Sequence, residues 1–200
     1  MENNRAYHNK KLEIAKNKCK EGKFNEANKI YKNLIQHNYY SLDLIFSYGL
    51  LSKKLKNLEL AKQLFFLSIK KFPVFINSYI LLAEIFRNEN NFIESEKILI
   101  KAKSIEPNNS DLYYNLALLY KAQARNNLSI KFVDHAIKLS PKNKIYKILN
   151  ADLLIDNGLF DLAEIILLNF KGELKQNIII QKDILLSKLY KVQRLSLIHI

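Results

Sequence analysis

A chain of 200 residues with 48% hydrophobic content is long enough to bury a sizeable core, and its single cysteine, Cys19, excludes an intramolecular disulfide framework and suits a reducing cytoplasmic compartment. The formal net charge of +13 raises nucleic acid or an acidic membrane as partners, but Lys, Asn and Ile are abundant throughout, as codon bias in an A+T-rich genome produces, so part of that charge is compositional. The N-terminal MENNRAYHNK has no apolar segment of a secretory signal, and no apolar run approaches the ~18 residues of a membrane helix.

In chain order, residues 1–7 are a polar lead. Helices are expected at about Asn9 to Glu21 and Phe24 to His37, separated by Gly22, then at Leu42 to Leu55 and Leu58 to Lys71. In the third pair, Tyr79, Leu82, Ala83 and Phe86 fall on one helical face, Asn88 to Asn91 break the pattern, and Phe92, Ser95, Leu99 and Ala102 mark a second face. Asn108, Ser110 and Asp111 offer side-chain oxygens to cap the first helix of the fourth pair, and Gly158 turns the fifth. A Lys171-Gly172 break precedes one more apolar-periodic stretch, about Leu174 to Arg194, which reads as a capping helix or as the first half of a sixth repeat. The final LSLIHI, Leu195 to Ile200, resembles translated read-through of a sequencing-library adapter and is set aside from the fold; the alternative is a natural apolar tail. On the first reading the native chain continues past Arg194.

A strict period unites these pairs. Pro73, Pro107 and Pro141, the only prolines, stand 34 residues apart. Counting each unit from His8, Leu42, Ile76, Ser110 and Lys144, position 8 is always small (Ala15, Gly49, Ala83, Ala117, Ala151), as is position 20 (Ala27, Ala61, Ser95, Ser129, Ala163). Position 24 is always large and apolar (Tyr31, Phe65, Leu99, Val133, Leu167). Small residues let paired helix axes approach closely, so a bulky side chain at Ala83 or Ala117 should overpack at a cost of roughly 1–3 kcal/mol. Position 27 is small only in the inner copies, as Ser68, Ala102 and Ala136, which suits the ends of a stacked array.

Small at 8, 20 and 27, large at 24 and proline at 32 on a 34-residue period resemble the tetratricopeptide (TPR) repeat. The departures are position 4, which holds Lys11, Ile45, Tyr79, Tyr113 and Lys147 and never Trp, and position 32 of the first repeat, which is Tyr39. The resemblance implies an all-α, right-handed α-solenoid of tandem helix-turn-helix repeats. Its expected divisions are 1–7 lead, repeats 8–41, 42–75, 76–109, 110–143 and 144–177, a C-terminal helix over 178–194, and 195–200 set aside.

Chemistry-bearing clusters do not emerge. His8, His37, His135 and His199 are scattered, with no metal-ligand spacing, and Gly22, Gly49, Gly158 and Gly172 assemble no phosphate loop. Glu94 with Glu96, and Asp152 with Asp156, read as solvated helix surface rather than as general acids and bases. No catalytic residue, cofactor or metal is expected.

The resemblance places the concave surface on the first helix of each repeat, at positions 2, 5, 9, 12 and 13. Position 5 gives an apolar stripe of Leu12, Phe46, Ile80, Tyr114 and Ile148, and position 12 gives Cys19, Lys53, Arg87, Lys121 and Ile155. The expected partner-binding groove is Phe46, Lys53, Ile80, Glu84, Arg87, Tyr114, Asn115 and Lys121. It would suit a protein or peptide with apolar anchors and acidic side chains. The chaperone carboxylate clamp is absent, since Leu12 and Lys16 stand where Lys and Asn are needed, and an asparagine ladder at position 6 retains only Asn115. Nucleic acid is disfavoured because Phe65, Phe86 and Tyr120 fall at core positions and basic residues lie on both faces. The expected function is a non-catalytic protein-interaction scaffold. The alternative is the N-terminal substrate-recruiting arm of a longer transferase, because bacterial chains that look like this often continue into a sulfotransferase or glycosyltransferase domain. Oligomeric state stays open, since an exposed edge on the last helix serves self-association as well as continuation.

Overall fold

The structure, a computed structural model, describes residues 2–170 and 176–198. Every regular element among them is an α-helix, and the chain divides into two compact units between Asn91 and Phe92. The first unit holds α1 (Glu2–Lys20), α2 (Phe24–Gln36), α3 (Leu42–Lys54), α4 (Leu58–Lys71) and α5 (Ile76–Asn88). The second holds α6 (Phe92–Ile105), α7 (Ser110–Ala122), α8 (Asn126–Leu139), α9 (Lys144–Asp156), α10 (Phe160–Leu168) and α11 (Gln176–Ile198). The 34-residue period is visible in the helix starts at Leu42, Ile76, Ser110 and Lys144.

The polar lead is not a separate segment: α1 begins at Glu2. Residues 2–20 contain neither Gly nor Pro, so nothing stops the helix from running back through them. Tyr39 gives that turn something to pack on. Its ring lies 4.8 Å from that of His8, and its hydroxyl donates to Asn9 Oδ1 at 2.5 Å. The Lys171-Gly172 break and Leu174 lie outside the described residues. So do residues 199–200, while α11 continues through Ile198, into the segment set aside above.

The small positions do what their volumes require. Ala15, Ala27, Ala61, Ala117, Ala151 and Ala163 are fully buried, each allowing a neighbouring helix to approach. At Gly49 the approach is closer still, since a Cβ there would sit 2.7 Å from the ring of Phe65, which is itself fully buried. Ser129 is buried without penalty because its Oγ donates to the Ala117 carbonyl oxygen at 2.7 Å. The tyrosines at position 4 also have a purpose: Tyr79 donates to the Pro73 carbonyl at 2.9 Å and Tyr113 to the Pro107 carbonyl at 2.8 Å, tying each proline turn to the helix that follows it.

Each turn within a repeat is built alike. Position 15 adopts positive φ in every copy, at Gly22 (76°), Lys56 (61°), Asn90 (59°), Ala124 (57°) and Gly158 (75°). The next residue then donates its amide back across the turn, Lys23 to Lys18, Asn57 to Ser52, Asn91 to Phe86, Arg125 to Tyr120 and Leu159 to Leu154, at 2.8–2.9 Å. This satisfies carbonyls that the helix end would otherwise leave without partners. Glycine supplies the left-handed conformation freely in the first and fifth copies; Lys56, Asn90 and Ala124 adopt it at a cost.

In the first unit, Leu12, Ala15, Ala27, Tyr31, Leu34, Leu44, Ile45, Tyr48, Leu51 and Leu64 form one buried cluster. In the second, one cluster centres on Tyr113, Ala117, Val133, Tyr146 and Leu153, and another on Ala151, Leu154, Ala163, Leu167, Leu185 and Leu189. Through Leu185 and Leu189, α11 covers the end of the fifth helix pair.

Candidate functional site

On the first helices, Lys53 and Lys121, two of the cations expected to face a partner, are bound to carboxylates within the chain. Lys53 donates to Glu84, and Lys121 donates to Asp152, in both cases a carboxylate 31 residues ahead on the next first helix. Lys121 also lies 3.3 Å from Asp156, and Lys188 of α11 reaches the same two carboxylates at 2.7 and 2.6 Å. Burial would raise the Asp152 pKa, but hydrogen bonds from Lys121 and Lys188 outweigh it and hold the carboxyl below its ordinary value. Burial would lower Lys188, and the two carboxylates reverse that shift and raise it. Position 12 is therefore an inter-repeat tie at Lys53 and Lys121.

The remaining groove residues divide between the units. In the first, Phe46 is half-buried, with its ring edge-on to Phe75 at 4.9 Å, and Ile80, Glu84 and Arg87 are half-buried beside it in sequence register. In the second, Tyr114 stacks on Tyr146 at 5.0 Å, and Asn115 donates its side-chain amide to the Asp111 carbonyl of its own helix at 2.8 Å. The position-5 stripe is not uniformly open. Leu12 and Ile148, at its two ends, belong to the cores, because α1 and α9 pack there against α2 and α11.

Two cavities open on the faces of the first helices. One, of about 390 Å³, lies in the first unit; α1 lines it with Glu13, Lys16, Cys19 and Lys20, α2 with Phe24 and Tyr31, and α3 with Ser47, Leu50, Leu51 and Lys54. Lys16 is occupied by Glu13 at 2.9 Å and Asp43 at 2.5 Å. Lys54 sits 4.2 Å from the centre of the Phe24 ring. Tyr31 is held protonated, chiefly by burial and then by the neighbouring Cys19, whose Sγ lies 4.0 Å from its hydroxyl. The other cavity, of about 240 Å³, lies in the second unit among Tyr114, Ile145, Ile148, Leu149, Asp152, Gln181, Ile184 and Leu185. Its walls are mainly aliphatic with Gln181 among them, and Asp152, its one carboxylate, is paired with Lys121 and Lys188.

The position-12 column carries no sign of the first cavity or its lysines. The signal was one residue further on: position 13 reads Lys20, Lys54, Asn88, Ala122 and Asp156, basic in the first two copies only. The ties were also legible, as Glu84 and Asp152 each standing 31 residues beyond a position-12 lysine. Among the described residues no group of His, Cys, Asp and Glu is arranged to hold a metal ion, and no helix is long and apolar enough to cross a membrane.

The tetratricopeptide repeat family model matches residues 76–109 and 110–143, the third and fourth copies. A tetratricopeptide repeat protein from Parabacteroides merdae superposes with a TM-score of 0.80 at 16% identity, over 95% of this chain and 75% of that one. A thermophilic TPR protein of Thermus thermophilus superposes with a TM-score of 0.73 at 14% identity, over 90% and 98%. These likenesses show the fold, an all-α solenoid of stacked helix pairs. In sequence, the chain is 30% identical over 102 residues to the human protein O-mannosyl-transferase TMTC3; that stretch is 50% of this chain but spans only 11% of the human protein.

Proposed function

We propose that this chain of tetratricopeptide repeats, two of which match the family model, is a non-catalytic scaffold that holds a protein or peptide partner against the faces of its first helices. The observation that supports this most directly is the pair of cavities: both open on first helices, and both combine apolar with polar lining side chains. Phe46, Ile80 and Tyr114 supply half-buried apolar contact surface, with Arg87 and Asn115 beside them. Lys53, Glu84 and Lys121 hold neighbouring first helices in place and so set the spacing of those contacts. The single cysteine suits a reducing compartment, and we place the protein in the cytoplasm on that ground.

The test is a random-peptide display selection against the full chain, with bound sequences mapped by amide chemical shifts. Recovered peptides should perturb α1 and α3, or α7, α9 and α11. Recovery of peptides that perturb only the outer helices α4, α6 and α8 would overturn the proposal.

A second reading has one observation in its favour. The TMTC3 match aligns half of this chain with a small part of a named transferase, which fits a recruiting arm of a longer enzyme. Long-read sequencing of the source locus through codon 194 distinguishes the two: an open frame into a further domain supports the arm, and an early stop supports the free-standing scaffold.

A further inference from the structure

Of the two cavities, only the first carries charge that the protein itself leaves unmatched. Around it, the lysines sort into two kinds. Lys16 is held by Glu13 and Asp43, Lys18 by Glu26 at 2.9 Å, and Lys53 by Glu84, so each has a carboxylate of its own. Among the described residues Lys20 and Lys54 have none: Lys20 is exposed at the rim, and Lys54 lies over the Phe24 ring. The floor between them is apolar, with Leu51 buried and Leu50 41% exposed, facing the cavity from a position that holds Lys16, Glu84 and Asp152 in the first, third and fifth repeats and Leu118 in the fourth. An apolar side chain thus stands where three of the other four repeats place a charge, and in this cavity two uncommitted ammonium groups accompany it.

We propose that this cavity is the specificity pocket of the scaffold and takes an acidic peptide segment in which a glutamate or aspartate adjoins an apolar anchor. The anchor enters between Phe24, Leu50 and Leu51 and the carboxylate pairs with Lys20 and Lys54. This rests on the scaffold reading and narrows it to one place and one partner chemistry. Opposite charge brought to Lys54 adds to, rather than replaces, its contact with Phe24, because a carboxylate approaches the ammonium from the side away from the ring. The same feature sets the selectivity: an uncharged peptide gains the apolar contact but leaves both lysines unmatched, and a basic one is repelled.

The probes are two acetylated, amidated peptides of alternating leucine and glutamate, or leucine and glutamine, titrated into isotopically labelled full chain and followed by amide chemical shifts. The glutamate peptide should shift Cys19, Lys20, Leu50 and Lys54 saturably and bind about fivefold or more tightly than its glutamine counterpart, as two exposed ion pairs allow. The preference should vanish in the double variant Lys20→Glu, Lys54→Glu and persist in the control Lys131→Glu, Lys138→Glu on α8, with helical circular dichroism confirming that both variants fold. Equal binding of the two peptides, a preference that survives the double reversal, or no shift at these residues would overturn the pocket. A footprint on Tyr114 and Ile148 of the second unit would overturn the pocket while leaving the scaffold reading standing. The display selection judges that reading independently.

Discussion

At the same repeat positions the two units carry different chemistry. Position 13 of the first unit holds Lys20, Lys54 and Asn88, the two lysines without a carboxylate partner among the described residues and beside a cavity floored by Phe24, Leu50 and Leu51. In the second unit the position is Ala122 and Asp156, and the carboxylates of Asp152 and Asp156 are closed off by Lys121 and Lys188, beside a cavity with mainly aliphatic walls. Positions 8, 20 and 24, by contrast, do the same work in both units. The repeat constrains what lies between its helices and leaves positions 9, 12 and 13 free, so one half of the chain can expose charge while the other spends it on holding α11.

If the framework is equivalent in the two units, overpacking it should damage either one. Ala117→Leu should cost about 3 kcal/mol in the second unit, since position 8 there is fully buried and its carbonyl accepts from Ser129. Gly49→Ala in the first unit should cost about 1–2 kcal/mol despite its better helix propensity, because the new Cβ meets the buried Phe65 ring. Urea denaturation read by amide exchange in each unit checks both; a stabilised Gly49→Ala would break the equivalence.

The ties should separate the units. Asp152→Asn leaves Lys121 and Lys188 facing only Asp156 and is expected to cost about 2 kcal/mol, whereas Glu84→Gln releases a single lysine and should cost about 1 kcal/mol or less. Equal losses would show that the second lysine adds nothing. A titration sharpens the contrast. Because the folded Asp152 pKa lies below its ordinary value of 3.8, its stabilisation is present above that value and lost as pH falls through the lower, folded one. Exchange protection of α11 should therefore drop on strong acidification, and in Asp152→Asn this acid step should be absent.

The smallest effect concerns a shared feature. Ala124 adopts the left-handed turn conformation that Gly22 supplies in the first unit, so Ala124→Gly should stabilise the second unit by about 0.5–1 kcal/mol. A loss measured by the same denaturation experiment would mean that the Ala124 methyl contributes packing.

Much of the fold was legible because a solenoid writes its contacts into a period: the residue types at positions 8, 20 and 24 are set by helix approach, and helix approach repeats every 34 residues. The extent of α1 was less so. A polar stretch without Gly or Pro says only that a helix is allowed, and it is Tyr39, 30 residues beyond Asn9, that gives the first turns a partner. The groove was legible as a set of positions but not as a set of available charges. Lys53 and Lys121 look like partner-facing cations in their own column, and only the placement of Glu84 and Asp152 beside them shows that they are spent.

By itself the sequence determined the repeat, its helix pairs and the faces that pack, since those follow from side-chain volume and spacing along one chain. The tertiary structure decided which lysines are neutralised, where the cavities open and how Lys56, Asn90 and Ala124 turn without glycine. Those outcomes depend on distances between helices that no single column of residues contains.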